Sequence, residues 1–276
     1  MREAANVFDL TGRVAVITGG AGLLGEQHAR AIAAAGGIPV LVDIQQQRAS
    51  ERAAALSQQY GVGAIGCAVD ITKQEQLEAL RDEIVARFGR IDILINNAAN
   101  NPKMESGAGV NFSRLENFPL AQWEADIAVG LTGAFLCSKV FGSYMAGHGG
   151  GVILNVASDL ALIGPDQRIY RQPGVAEDQQ PVKPVTYSVV KSALVGLTRY
   201  LATYWAGDNV RVNAISPGGV FNGQPGDFVA RLANLIPLGR MAEIDEYQGA
   251  VVFLCSDASS YITGTNLVAD GGRSCW

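Results

Sequence analysis

Short, continuously apolar runs alternate with longer segments of helical length through this 276-residue chain. A run that is apolar throughout, instead of at every second position, is typical of a parallel strand buried on both faces. Seven such runs predict strands at Val14–Thr18, Pro39–Asp43, Ala64–Asp70, Ile91–Asn96, Gly151–Ala157, Val210–Ile215 and Asn266–Ala269. The segments between them predict helices at Leu24–Ala35, Gln47–Tyr60, Lys73–Phe88, Leu120–Ala146, Tyr187–Trp205 and Glu243–Leu254.

Regular alternation of strands and helices is typical of an α/β fold. We therefore predict a doubly wound Rossmann fold, with a seven-stranded parallel sheet flanked by helices and right-handed crossovers. Short turns connect most elements and no linker is evident, so residues 1–276 are expected to form a single domain. Two longer segments, at about 100–119 and 160–186, follow the carboxyl ends of the fourth and fifth strands. Ligands bind at that edge of open α/β sheets, which predicts that both segments are substrate-side loops.

Composition argues against several functional classes. Hydrophobic residues make up 48% of the chain, its formal net charge is −5 and its pI is ≈ 5.1, so binding to nucleic acid or an anionic membrane is not expected. The apolar stretches are of strand length, which predicts no transmembrane helix, and Met1–Leu10 lacks the apolar core of a secretory signal. Cys67, Cys137, Cys255 and Cys275 show no CxxC spacing, which indicates reduced thiols in a cytoplasmic protein, and no metal site is predicted.

A glycine-rich turn follows the first predicted strand, with Gly19, Gly22 and Gly25 leading into the first helix. Glycines let the backbone approach a pyrophosphate, and a helix N-terminus offers it free N–H groups, so this turn predicts a dinucleotide site. Asp43 ends the second strand, where a carboxylate can accept both ribose hydroxyls and repel a 2′-phosphate. Asp43 therefore favours NAD over NADP, unless it only caps the following helix.

Tyr187 and Lys191 lie four residues apart in the fifth predicted helix. Side chains at this spacing point the same way, so the ammonium can hold the phenol near its ionised form. A phenol close to ionisation can move a proton at neutral pH. Combined with a dinucleotide site, this pair predicts a nicotinamide-dependent oxidoreductase.

With these motifs in place, the chain resembles the short-chain dehydrogenase/reductase family from Gly12 to Gly272. The matching motifs are Thr18–Gly25, Asp70-Ile71, Asn96–Ala99, Asn155–Ser158, Tyr187-xxx-Lys191, Asn213–Gly218 and Asp270–Gly272. A weaker resemblance, carried by Asn97–Lys103 and Pro217–Gln224, is to the sugar-modification and flagellin-modification oxidoreductases within that family.

The family resemblance implies a role for each matching residue. Ser158 would hydrogen-bond the substrate oxygen, Tyr187 would be the general acid/base, and Lys191 would hold the nicotinamide ribose and lower the tyrosine pKa. The implied cofactor-binding residues are Gly19, Gly22, Leu23, Leu24, Gly25, Asp43, Ile44, Asp70, Ile71, Asn97, Ala98, Ala99, Tyr187, Lys191, Pro217, Gly218 and Val220.

Two residues depart from the family pattern. Leu23 replaces the middle glycine of the turn, so the backbone there must adopt a negative φ. Gly130 replaces a common asparagine whose amide supports a water chain from Lys191 to solvent. Glycine cannot supply that amide, although it allows a helix kink and its carbonyl can hold a water.

The interval between Ser158 and Tyr187 is longer than the family usually has and is rich in polar residues, which predicts a covered, polar substrate pocket. Lys103, Arg168 and Arg171 are candidates for binding an anionic substrate, because their cations match carboxylate or phosphate oxygens. Alternatively, the two arginines pair with carboxylates of their own loop and hold it closed.

We therefore predict an NAD(H)-dependent oxidoreductase that acts on a secondary alcohol or ketone of a small, polar or anionic, sugar-type molecule. A general ketone or 3-oxoacyl reductase is one alternative, against which Asp43 argues because such enzymes tend to favour NADPH. A catalytically inactive dinucleotide sensor is another, against which the retained Tyr187 and Lys191 argue.

The resemblance also implies a homo-oligomer, either a dimer or a tetramer, formed through long helices. An apolar set at helical spacing could lie in such an interface or face the sheet: Leu194, Leu197, Leu201 and Trp205. Trp276, close behind Asp270–Gly272, is most simply explained if it docks on a neighbouring subunit.

Overall fold

The structure is a computed structural model that describes residues 6–100 and 113–276. Its strands are β1 (Val14–Thr18), β2 (Ile38–Asp43), β3 (Ile65–Ala68), β4 (Ile93–Asn96), β5 (Gly151–Val156), β6 (Val210–Pro217) and β7 (Asn266–Ala269). They form one parallel sheet in the order β3-β2-β1-β4-β5-β6-β7, which confirms the predicted seven-stranded Rossmann fold.

The helices are α1 (Leu23–Ala34), α2 (Gln46–Tyr60), α3 (Gln74–Phe88), α4 (Leu120–Gly147), α5 (Val185–Tyr204), α6 (Gly226–Ala233) and α7 (Gln248–Cys255). One face of the sheet packs against α1, α2 and α7 and the other against α3, α4 and α5, so the strands are buried on both faces. This burial accounts for their continuously apolar sequences.

The chain reverses direction across the sheet between β1 and β4. From β1 it proceeds outward through β2 and β3, and it then returns to the opposite side of β1 to form β4. A crevice therefore opens beyond Thr18 and Asn96, the last residues of these two strands.

Helix α4 has the predicted length to within one residue, but it is more apolar than the sequence analysis expects. It has 28 residues, a mean hydropathy of 1.3 over its most apolar window, and enough length and apolar character to cross a membrane. Half of that window is buried within the protein, however, and Phe141 and Met145 contribute to the core beneath the sheet. The prediction that apolar stretches are only of strand length is thus wrong for α4, which here packs as a core helix.

In the segment from 160 to 186, the buried side chain of Gln180 links several parts of the backbone. The amide of Gln180 accepts from the backbone N–H of Gln172 (2.8 Å) and donates to the carbonyl oxygens of Gln172 (3.1 Å) and Val175 (2.7 Å). Two contacts join this segment to the end of the other loop: Val182 N–H donates to Ser113 Oγ, and Arg114 donates to the Glu177 carbonyl oxygen. The two predicted substrate-side loops therefore touch each other.

Candidate active site

The glycine-rich turn joins β1 to α1 as predicted. A Cβ on Gly25 would overlap the carbonyl oxygen of Gly19, so only glycine fits where α1 crosses the turn. Gly19 has φ +61°, whereas Leu23 begins α1 and has a negative φ, as its side chain requires. The N-cap residue Gly22 offers no side chain to the first N–H groups of α1, so they remain available to an anion.

A cleft of ≈ 400 Å³ lies in front of this turn. Of the predicted cofactor-binding residues, those lining it are Gly19, Gly22, Leu23, Leu24, Asp43, Ile44, Asp70, Ile71, Asn97, Ala98 and Ala99. Gly25, Pro217, Gly218, Val220, Tyr187 and Lys191 do not line it, and Gly218 lines a separate hollow beside the C-terminal segment. The dimensions and the glycine cradle fit a dinucleotide, with Asp43 at one end of the cleft.

Asp43 has two roles in this cleft. Its Oδ2 accepts from the backbone N–H of Ala21 (3.2 Å) and its Oδ1 from that of Gln45 (3.1 Å), so it does brace the start of α2. Each carboxylate oxygen has a second lone pair. Asp43 can therefore hold the turn and still accept hydrogen bonds from a ligand in the cleft.

Asn97 connects β4 to the glycine-rich turn. Its Nδ2 donates to the carbonyl oxygen of Thr18 (2.9 Å), and the backbone N–H groups of Asn97 and Ala98 donate to Thr18 Oγ1, both at 3.0 Å. These bonds fix the cleft across the point where the chain reverses.

The three predicted catalytic residues come from β5 and α5. The Tyr187 hydroxyl donates to Ser158 Oγ at 3.4 Å, and Lys191 Nζ lies 5.9 Å from the centre of the Tyr187 ring. The Lys191 ammonium donates to the carbonyl oxygen of Val156, the last residue of β5, at 2.7 Å. The structure thus brings Ser158, Tyr187 and Lys191 together, next to Ala99 and Asn100 at the end of the cleft.

Burial is the main influence on the pKa values of Tyr187 and Lys191. Burial raises the pKa of Tyr187 above its ordinary value, and the hydrogen bond with Ser158 only partly opposes that shift. Burial lowers the pKa of Lys191 to about 8, and the nearby Lys183 adds to this. Desolvation of the phenol is the largest cause of this rise, and the lowering of the tyrosine pKa by Lys191 stays a prediction.

Comparison with known proteins decides the family. Residues 13–170 match the family described as short chain dehydrogenase, and residues 174–274 match the one described as enoyl-(acyl carrier protein) reductase. This chain belongs to the short-chain dehydrogenase/reductase family. The protein is thus an oxidoreductase that acts on alcohol groups with a nicotinamide dinucleotide.

Three similar proteins illustrate the range of this dehydrogenase's relatives. It is 36% identical to a D-threitol dehydrogenase of Mycolicibacterium smegmatis, with 96% of this chain and 94% of the relative aligned. It is 34% identical to an NAD-dependent glycerol dehydrogenase of Listeria innocua, with 96% and 95% aligned. A gluconate 5-dehydrogenase structure from Burkholderia cenocepacia, in complex with NADP and tartrate, matches with a TM-score of 0.84 at 28% identity and covers 99% of this chain and 100% of its own.

A buried ion pair behind the dehydrogenase's serine was missed by the sequence analysis. Ser158 Oγ donates to Asp159 Oδ1 at 2.8 Å, and Arg273 donates to Asp159 Oδ2 at 2.6 Å. Both charged side chains are less than 10% exposed. Asp159 directly follows the serine motif and Arg273 directly follows Asp270–Gly272, so adjacency to motifs was the available signal.

Lys183 is not among the site residues that the sequence analysis predicts. Its Nζ lies 3.7 Å from the centre of the Tyr187 ring, and in the sequence Lys183 stands between Pro181 and Pro184. A small cavity of ≈ 20 Å³, enough for about one water molecule, is lined by Lys183, Tyr187 and Lys191 and by Asp126 from α4. No group of three His, Cys, Asp or Glu side chains within residues 6–100 and 113–276 could hold a metal ion.

The predicted anion-binding arginines each have a carboxylate partner in their own loop. Arg168 makes two bonds to Asp166, at 2.9 and 2.7 Å, and its side chain is 80% exposed. Arg171 pairs with Glu177 at 2.5 Å. These are the loop-holding ion pairs of the alternative interpretation, and the third candidate, Lys103, lies outside the described residues.

Gly130 lies where α4 widens into a π-helical turn over Ala128–Thr132. A Cβ at this position would lie 2.7 Å from Cγ1 of Val190 on α5. Gly130 and Val190 therefore fit as a pair, and Val190 fills the space that a side chain at 130 would need.

The apolar set on α5 faces the protein interior. Leu194, Leu201 and Trp205 are 2–6% exposed and belong to the core, with Leu197 packed against it. Trp276 is 76% exposed, and its indole N–H donates to the Leu235 carbonyl oxygen at 3.3 Å. Leu201 and Trp205 thus lie in the core against the sheet, whereas Leu194 packs against α4, and docking of Trp276 on a second subunit stays a prediction.

Proposed function

We propose that this protein is an NAD-linked dehydrogenase that interconverts a secondary alcohol and a ketone on a small, sugar-type polyhydroxy substrate. The observation that carries the proposal is the group of Ser158, Tyr187 and Lys191 at the end of a dinucleotide-sized cleft whose other end holds Asp43. Relatives named for threitol and glycerol, and a neighbour named for gluconate, support a polyhydroxy substrate.

The residues of the site suit proton transfer at a substrate oxygen. Tyr187 would take the hydroxyl proton in oxidation and return it in reduction, and Ser158 would hydrogen-bond the same oxygen. Asp159 accepts a hydrogen bond from the Ser158 hydroxyl, and Ser158 Oγ in turn accepts one from the Tyr187 hydroxyl. The bound dinucleotide would accept or supply the hydride.

The preference for NAD rests on Asp43. A 2′-phosphate placed near its carboxylate would be repelled, and the adjoining residues Ile44 and Gln45 offer no cation in compensation. Wild-type kcat/KM should be at least about tenfold higher with NAD than with NADP, the scale expected of two charges at close range. Asp43→Ala should reduce that ratio, and an unchanged ratio would show that Asp43 does not select the cofactor.

The substrate class can be tested by following NADH absorbance over a panel of polyols, sugar acids, simple ketones and 3-oxoacyl thioesters, with Tyr187→Phe as the blank. Turnover confined to polyols and sugar acids is the expected result. Turnover of ketones or thioesters alone would favour the general reductase, and NADH binding without turnover of any compound would favour the sensor.

Single-domain organisation, a cytoplasmic location and homo-oligomer formation stay predictions. Light scattering of the wild type and of a variant lacking Cys275 and Trp276 would test the last of these. A lower mass for the shortened chain is expected, and an unchanged mass would argue against docking of Trp276.

A further inference from the structure

The ammonium of Lys183 occupies an unusual position for a loop lysine. It is half-buried above the ring of the catalytic tyrosine, and among the described residues no carboxylate lies within ion-pair distance of it. Pro181 and Pro184 restrict the backbone on both sides, and the Lys183 N–H donates to Gln167 Oε1 at 2.8 Å. The lysine is therefore presented to the site by a constrained segment.

The charges around Lys183 leave a positive site. The cavity beneath it is lined by two cations, Lys183 and Lys191, and one anion, Asp126. The Asp126 oxygens already accept from Thr186 Oγ1 (2.5 Å) and Gln122 Nε2 (2.7 Å). Asp159 and Arg273 neutralise each other. The two lysines and Asp126 therefore leave one net positive charge beside Tyr187.

Resting on the proposed function, we propose that Lys183 binds a carboxylate of the substrate, so that the enzyme prefers sugar acids to neutral polyols. The Lys183 ammonium lies 3.7 Å from the centre of the ring that carries the Tyr187 hydroxyl, so the two groups are close together. A substrate whose carboxylate is a few bonds from its carbinol can therefore contact Lys183 and Tyr187 at the same time. A single net charge matches a carboxylate. A phosphate dianion is better served by arginine forks, and both arginines of this loop are already paired.

The test compares each sugar acid with the alditol in which CH₂OH replaces the carboxylate: D-gluconate with D-glucitol, and threonate with threitol. In wild type the acid should have the higher kcat/KM with NAD. Lys183→Met should lower the acid-to-alditol ratio at least about tenfold, because a charged hydrogen bond is lost. Lys183→Arg should retain most of the ratio, and the ratio cancels any effect on Tyr187 that both substrates share.

Arg168→Met is the matched control, since it removes a cation from the same loop. The proposal for Lys183 is wrong if Arg168→Met lowers the acid-to-alditol ratio and Lys183→Met does not. It is also wrong if neither variant changes the ratio, a result that would show that Lys183 only supports the tyrosine ring.

A binding measurement separates this inference from the proposed function. The Kd of D-gluconate for the enzyme–NADH complex can be read from the cofactor's fluorescence without any turnover. Weaker binding to Lys183→Met, but not to Lys183→Arg, is expected, and equal Kd values in all three proteins would overturn the assignment. Failure of the wild type to turn over either member of both pairs would instead refute the proposed substrate class.

Discussion

The cofactor cleft and the substrate side of this enzyme are built in different ways. The cleft comes from strand ends and a helix N-terminus, and eleven of its predicted residues line one cavity. The substrate side depends on side chains that meet from distant segments: Asp159 with Arg273, Asp126 with Thr186, and Lys183 over Tyr187. The fold therefore provides the predicted dinucleotide cleft directly, whereas the proposed substrate side is assembled from loops and the C-terminal segment.

The largest effect on activity should come from a substitution at Tyr187, which lies between the cofactor cleft and the substrate side. Tyr187→Phe removes the proposed proton-transferring group and should lower kcat by about 10²–10⁴-fold, while the Kd of NADH changes little. Stopped-flow absorbance and NADH fluorescence measure the two quantities. Tyr204→Phe is the control, because Tyr204 is 63% exposed on the same helix. A large loss of NADH affinity in Tyr187→Phe would mean that the two regions are not separable.

Breaking the ion pair behind Ser158 tests whether the substrate side depends on a distant contact. Either Asp159→Asn or Arg273→Met leaves one buried charge without a partner and should reduce the free energy of unfolding by about 3–5 kcal/mol. Urea denaturation measures this, and Arg168→Met, at an exposed pair, should show no measurable change. The double variant should lose less than the sum of the single variants, and strict additivity would indicate that the pair does not interact.

The contact between α4 and α5 tests how tightly the catalytic helix is packed. A methyl group in Gly130→Ala meets Val190 and should cost about 1–3 kcal/mol of stability. Gly147→Ala in the same helix has open space around it and should be neutral or slightly stabilising. Adding Val190→Ala should recover part of the loss at Gly130, and equal behaviour of the two glycine variants would contradict the paired fit.

A pH series tests the substrate side without any substitution. Burial lowers the pKa of Lys183 to about 8, with Asp159 opposing and Arg273 adding to that shift. Because the ammonium is charged below this pKa, KM for a sugar acid should be constant below it and rise about tenfold per pH unit above it. KM for the matching alditol should show no such rise. Lys191 has a similar pKa, but it affects both substrates alike.

The sequence predicted the cofactor cleft better than it predicted the substrate side. The cleft was predictable because its glycines and Asp43 stand in fixed order after apolar strands. The short helix α6 was missed because it packs against Ile169 of the loop instead of against the sheet. The partner of Asp159 was not predictable, because Arg273 lies 114 positions away and only the folded chain brings the two together.

For Arg168, Arg171 and Lys183 the sequence offered three similar cations in one loop. Carboxylates two and six positions away in the chain pair with the two arginines. Lys183 instead meets a tyrosine whose ring position depends on the packing of α5. Local charge patterning therefore identified the loop as polar, but it could not show which cation lies over the ring of Tyr187.

The pair of Asp159 and Arg273 also imposes an order on the maturation of the newly made chain. The ribosome incorporates Asp159 114 residues before Arg273. At about 5–20 residues per second, that delay is roughly 6–23 s. The strands that frame the dinucleotide cleft, β1, β2 and β4, precede Asp159 and are already made when this interval begins, while the acid beside the serine still lacks its counter-ion. A nascent chain can thus hold the strands of its nucleotide cleft well before the ion pair behind Ser158 is complete.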